Sequence, residues 1–142
     1  MPTPYRVAWN HTRLYCLAMP GSQTIQNKSS AKVISRESLT FSPRFSHGHM
    51  ASIAEVTGTG DGTRLGTGFA RMTKASIPWT VRYDEVLVVL EGQITARTVD
   101  GDLTANPQDC IWLPAGTQLT YIAENTLVFY AIEPANWAEN AS

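Results

Sequence analysis

The chain has 142 residues, 43% hydrophobic and 16% charged; the usual charged share is about 25%, so a disordered chain or long solvated helix is excluded and one globular domain is expected. Eleven Lys and Arg against twelve Asp and Glu leave a formal charge of -1, which excludes the basic surface that binds nucleic acid by counterion release. The longest apolar run, Leu127 to Ile132, is far short of the about 20 residues of a membrane-spanning helix, and no signal-peptide apolar region opens the chain, so a cytoplasmic protein with no membrane partner is expected.

Val, Ile, Thr, Tyr, Phe and Trp make up about a third of the chain, a strand-former composition. In chain order, Tyr5–Asn10 reads as an edge strand and Arg13–Met19 as a second short strand or a helical turn. Gly21–Ser30 is a polar loop, so residues 1–30 are expected to form an N-terminal arm suited to docking on a partner subunit, and residues 31–142 the folded domain. From Lys32 onward, short segments are punctuated by turn residues at intervals of about ten, the pattern of an all-β sandwich or barrel. Ala51–Val56 is a strand and Gly58–Gly62 a turn. Leu65–Thr73 and, after Pro78, Trp79–Tyr83 are two further strands. Glu85–Glu91 is the strongest strand signal, ended by Gly92, with Gln93–Val99 returning from it. Asp100-Gly101 suits a two-residue hairpin turn, because both residues tolerate positive φ. Cys110–Leu113, Gln118–Ala123 and Thr126–Glu133 complete the strands, and Pro134–Asn140 is expected to form one helical turn anchored by Trp137.

Two spaced patterns stand out: Glu85 with Gly92 seven residues later, and Pro114-Ala115-Gly116 beyond an intervening hairpin. They resemble the two motifs of the cupin superfamily, which implies a jelly-roll β-barrel. Glu85 and Gly92 match the end of the first motif, and Pro114 and Gly116 the centre of the second. The positions where the resemblance implies metal-binding histidines fall on Trp79 and Val81, or on Pro78 and Thr80 with the longer spacing, and on Leu119. The second motif's leading glycine falls on Gln108 and its asparagine on Ala123. A divalent transition metal needs several nitrogen or carboxylate donors, and only Glu85 remains, so no metal or other cofactor is expected there.

The wording around these positions narrows the resemblance. Pro78-Trp-Thr-Val-Arg-Tyr-Asp-Glu-Val86, Val89-Leu-Glu-Gly92, Ile111-Trp-Leu-Pro-Ala-Gly116 and Glu133-Pro-Ala-Asn-Trp137 look like the ethanolamine-utilisation protein Q (EutQ) family, across roughly residues 45 to 138. That resemblance implies a homodimer without the metal histidines, linked to bacterial microcompartments and to an ATP-dependent acetate kinase activity. Full-length relatives carry an additional N-terminal region. No G-x-x-x-x-G-K-[ST] sequence is present, and no helix follows Gly58–Gly68 to present amide groups to a phosphate.

If Glu85 points inward, as its cupin counterpart does, period-two alternation sends Leu87, Val89 and Glu91 inward with it. Trp79, Val81 and Tyr83 then line the preceding strand, with Leu119 and Tyr121 facing them. The expected site is an apolar, aromatic pocket for a small-molecule ligand. Burial raises the pKa of Glu85, so that it serves as proton donor or acceptor with Tyr83 or Tyr121 sharing the proton. Trp79, Arg71 and Leu119 are the expected ligand contacts. Two alternatives stand beside this reading. One is a non-catalytic ligand-binding or scaffold module, in which Glu85 merely accepts hydrogen bonds from Tyr or Arg71. The other is a metal-dependent enzyme in which His47 and His49, two residues apart on a strand face, join Glu85 in a relocated ligand triad. Asp84 is expected to point away from Glu85, and Trp112 and Trp137 to be packing anchors.

Overall fold

The computed structural model describes residues 30–139; the expected strand and arm features at Tyr5–Asn10 and Arg13–Met19 lie outside the described residues. The strands are β1 (Ser42–Pro43), β2 (Ala51–Thr57), β3 (Gly66–Thr80), β4 (Asp84–Glu91), β5 (Ile94–Thr98), β6 (Gly101–Ala105), β7 (Cys110–Leu113) and β8 (Gln118–Glu133). All pairings are antiparallel, in the order β1-β2-β3-β8-β4-β7, with the β5–β6 hairpin attached to β8. This is the cupin-type jelly roll in class, but the sheet is open and does not close into the expected barrel. No helix among the described residues is long and apolar enough to cross a membrane.

The fold is organised by two long strands. β3 and β8 pair continuously from Gly66↔Ile132 to Thr80↔Gln118. The expected strand Leu65–Thr73 and the first two residues of the expected Trp79–Tyr83 are therefore one strand, whereas Val81–Tyr83 are no strand and lead into β4. Proline fits there because β2 pairs with β3 only as far as Met72, so among the described residues no strand pairs with the other edge of β3 at Pro78. The inward-facing phase switches midway. On β3 it runs Ala70, Met72 and then Ala75, Ile77; on β8 it runs Leu119, Tyr121, Ala123 and then Thr126, Val128. Lys74, at φ 45°, stands at the switch on β3, between the pairs Thr73↔Asn125 and Ala75↔Ala123. One half of the ladder, with β2, β4 and β7, therefore faces the other half, which carries β5 and β6.

Local chemistry accounts for most boundaries. Gly92 ends β4 at φ 79°, and a Cβ there would strike the Asn125 carbonyl oxygen. Gln108, at the position of the motif's glycine, holds φ 78° with a full side chain. The β5–β6 loop is Val99-Asp100, one residue earlier than expected, because Thr98 pairs with Gly101; the positive φ belongs to Gly101 alone. Residues 135–139 form turns, closed by Trp137 N–H to Pro134 and Glu139 N–H to Asn136, and not a helical element. Trp137 is nonetheless the expected anchor, packed edge-on to Phe45, Trp79 and Tyr83. Trp112 is not one: it is 57% exposed on β7, beside Val86 on the outer face.

Candidate functional site

The cavity lies on the inner face of the half-ladder formed by β2, β3, β8 and β4. On β3 the inward positions are Gly66, Gly68, Ala70 and Met72, and the first three are small enough to leave space above the sheet, which Met72 borders. A Cβ at Gly68 would lie 2.5 Å from Tyr130 Oη and 2.6 Å from the Ala54 carbonyl oxygen, so glycine there lets Tyr130 lean across the strand. The cavity holds about 550 Å3, within the range of small-molecule sites. Its walls carry Ile53, Met72, Leu87, Ile132 and Trp137, with Arg44, Glu55, Tyr83, Glu85, Tyr121 and Tyr130 among the polar groups.

Alternation along β4 buries Glu85, Leu87 and Val89 and turns Val86 and Val88 outward. Glu91 departs from this phase and is exposed, because the β4–β8 register shifts between Val89 and Glu91. Glu85 is 6% exposed, and Tyr121 Oη donates to its Oε2 at 2.8 Å. Since Glu85 sits on β4 and Tyr121 on the other half of β8, this hydrogen bond spans the two facing layers. Burial pushes the Glu85 carboxyl up to about 7, against the opposing pull of the Tyr121 hydrogen bond and the Arg44 charge. Burial and the neighbouring Glu85 carboxylate push Tyr83 up to about 12, and the same causes raise Tyr121. Tyr130, also raised to about 12 by burial and then by Glu55, stays a neutral phenol. A carboxyl that titrates near neutrality, hydrogen-bonded to a phenol that does not, can give or take one proton in a largely apolar space.

The expected site residues divide. Glu85, Tyr83 and Tyr121 come together on the cavity. Trp79 and Leu119 pair in register at the far end of β3 and β8 and line a separate shallow depression with Arg82. Arg71 is carried away by alternation, since Ala70 and Met72 face inward; its guanidinium lies 3.6 Å from Glu91. The bond to Glu85 therefore comes from a tyrosine and not from Arg71. His47 ends a three-residue 3-10 turn and His49 is exposed beyond it, so the two share no strand face, and neither lines the cavity. Among the described residues no three His, Cys, Asp or Glu side chains are grouped as metal ligands. The usual cupin positions do not fit a metal either: Trp79, Val81 and Leu119 offer no donor, and Glu85 is engaged by Tyr121. Asp84 points away from Glu85, and its Oδ1 accepts the Ala115 N–H at 3.0 Å, fixing the Pro114–Gly116 turn.

Sequence reasoning missed Arg44. Its guanidinium carbon lies 4.5 Å from the Trp79 ring centroid, and the residue lines the cavity between β1 and the Phe45–His47 turn. A lone arginine in Ser-Pro-Arg-Phe-Ser gives no periodic signal; only the T-shaped cluster of Trp79, Tyr83 and Trp137 behind it defines the position. Glu55 and Tyr130 were missed for a different reason. Both lie on strands with otherwise apolar inner faces and appear interchangeable with outward polar residues until the register Glu55↔Gly68↔Tyr130 is known.

Comparison with known proteins places this geometry among relatives. The family model "Ethanolamine utilisation protein EutQ" matches residues 23–139. The acetate kinase EutQ of Escherichia coli (strain K12) is 30% identical over 121 residues, covering 83% of this chain and 52% of the relative. The chain thus spans about half the length of the curated relatives it matches. A crystal structure of an ethanolamine utilization protein Q from Salmonella typhimurium LT2 is similar at TM-score 0.69 and 28% identity, over 75% of this chain and 88% of that one. The polyketide cyclase RemF from Streptomyces resistomycificus shares the fold at TM-score 0.65 and 18% identity, over 75% and 80% of the two chains.

Proposed function

The chain belongs to the ethanolamine utilisation protein EutQ family, and from that premise we propose that its cavity is a metal-independent site for proton transfer on a small polar metabolite. The observation that carries this reading is the buried Tyr121–Glu85 hydrogen bond at 2.8 Å on the wall of the cavity. Glu85 is the proton donor or acceptor, and Tyr121 holds its carboxyl and shares the proton. Tyr83, on the segment entering β4, supplies a second neutral phenol beside it. The step moves one proton between the Glu85 carboxyl and the bound ligand, and a carboxyl whose affinity for the proton matches neutral solution is present in both the donor and the acceptor form.

The acetate kinase named among the relatives is a property of chains about twice this length, and a kinase moves a phosphoryl group, so acetate with ATP is run as a separate control and small hydroxy and keto acids are the compounds to be tried here. Purified protein incubated with these compounds and followed by proton NMR is expected to yield product, and Glu85→Gln to abolish it with the melting temperature retained. Undiminished turnover in Glu85→Gln overturns the assignment. A compound that raises the melting temperature without ever giving product replaces it with a non-catalytic binding module.

The reading includes a cytoplasmic homodimer. An apolar outer face supports the dimer: Phe69, Phe129 and Val88 form one row across β3, β8 and β4, and Ala131, Val86 and exposed Trp112 the next.

A further inference from the structure

Among the described residues the cavity has one cation, Arg44, and its setting bears on what enters. Arg44 is fixed at the backbone, its N–H bonded to the Ala51 carbonyl and its own carbonyl accepting from His47, both at 3.0 Å. Its guanidinium stacks on Trp79, which pre-orients the planar fork. Among the described residues no carboxylate lies within ion-pair distance of it, whereas Arg64, Arg71 and Arg97 are each paired. A planar guanidinium that no carboxylate among the described residues pairs, with the Tyr83 phenol as a polar neighbour, fits a planar anion at the wall of a cavity through two parallel hydrogen bonds.

The remaining walls limit what that anion carries. Ile53, Met72, Leu87, Ile132 and Trp137 present apolar surface, and about 550 Å3 far exceeds a two-carbon acid. Two carboxyl groups, Glu55 and Glu85, line the same space, so a dianion would meet one positive charge and additional negative ones. Resting on the acid–base reading above, we propose that the cavity takes an organic monocarboxylate with an apolar body, and that Arg44 is the residue that selects it. The carboxylate docks on the Arg44 fork, the body lies against Met72, Leu87 and Ile132, and the group that exchanges a proton reaches Glu85.

Calorimetric titration with phenylacetate, its neutral isostere phenylacetamide, acetate and inorganic phosphate tests this. Phenylacetate is expected to bind about tenfold or more tightly than each of the other three, the margin of a charge-assisted bidentate contact on a filled apolar site. Arg44→Gln removes that margin and leaves phenylacetamide binding unchanged, and Arg44→Lys restores part of it, with circular dichroism and melting temperature confirming the fold of each variant. Phenylacetate no tighter than phenylacetamide, or unaffected by Arg44→Gln, overturns the role of Arg44. Acetate or phosphate bound as tightly as phenylacetate overturns the ligand class. Neither result touches the acid–base reading, which stands or falls on the dependence of turnover on Glu85.

Discussion

The two halves of the β3–β8 ladder are built from one pair of strands and serve opposite purposes. Beyond Lys74, Ala75 and Ile77 meet Ala123 and Tyr121, and with Ile94 and Ala96 of β5 they close a solid core in which Ile77 and Ile94 are fully buried. Before Lys74, Gly66, Gly68 and Ala70 occupy the equivalent inward positions, and the space they leave, bordered by Met72, is the cavity. The packed half supplies the stability that permits the other half to remain hollow. Tyr121 is the exception that joins them: it belongs to the packed half of β8 yet reaches across to Glu85. A pocket in this fold therefore arises largely from side-chain size along one strand, with the Arg44–Phe45 segment and Trp137 walling the space it leaves.

Substitutions that treat the halves alike should reveal the difference. Ile77→Ala opens a cavity in the packed half and is expected to cost about 2–5 kcal/mol in urea denaturation; Met72→Ala, beside space already present, should cost clearly less. Equal losses would break the contrast. The next effect is pH-dependent. Because the folded carboxyl of Glu85 is raised from 4.5 to about 7, the folded state holds a proton that the unfolded chain has released between those values. Its contribution to stability is full below pH 4.5, falls as pH rises through 7 and is flat above, a change of up to about 3 kcal/mol. Glu85→Gln should flatten that slope when stability is measured across the range.

Smaller effects sharpen the comparison at the level of backbone. Gly68→Ala must displace the Tyr130 hydroxyl and should cost about 1–3 kcal/mol, shrinking the cavity while leaving the packed half intact; amide chemical shifts confined to β2, β3 and β8 would locate the change. Smallest is Gln108→Gly, in the turn that leads into β7, where its N–H bonds the Val89 carbonyl of β4. At φ 78°, glycine relieves side-chain strain and should stabilise the protein by up to about 1 kcal/mol in thermal unfolding.

The sequence disclosed the short strands better than the long ones. Glu85–Glu91 and Cys110–Leu113 are legible because the inward residues alternate cleanly and glycine or proline follows. β3 and β8 read as two segments each, since the phase of the pattern reverses at Lys74 and at Glu124–Asn125, and a reversal within one strand resembles a break between two. The same limit governs the site. Glu85, Tyr83 and Tyr121 lie in phase with apolar neighbours and were recognisable, and Arg71 was misplaced by one position of alternation. His47 and His49 satisfied a strand spacing in a segment that folds as a 3-10 turn. Arg44 depends on ring stacking between residues distant in sequence, which no local pattern records.

The central claim is that Glu85 shares a proton with Tyr121 and exchanges it near neutral pH inside the hollow half. Carbon-detected NMR of the Glu85 side-chain carboxyl, followed from pH 4 to 9, tests it most directly. The account predicts a midpoint near 7, rising further in Tyr121→Phe because the phenol hydrogen bond favours the ionised form. A midpoint near the ordinary 4.5, unmoved by Tyr121→Phe, would contradict it.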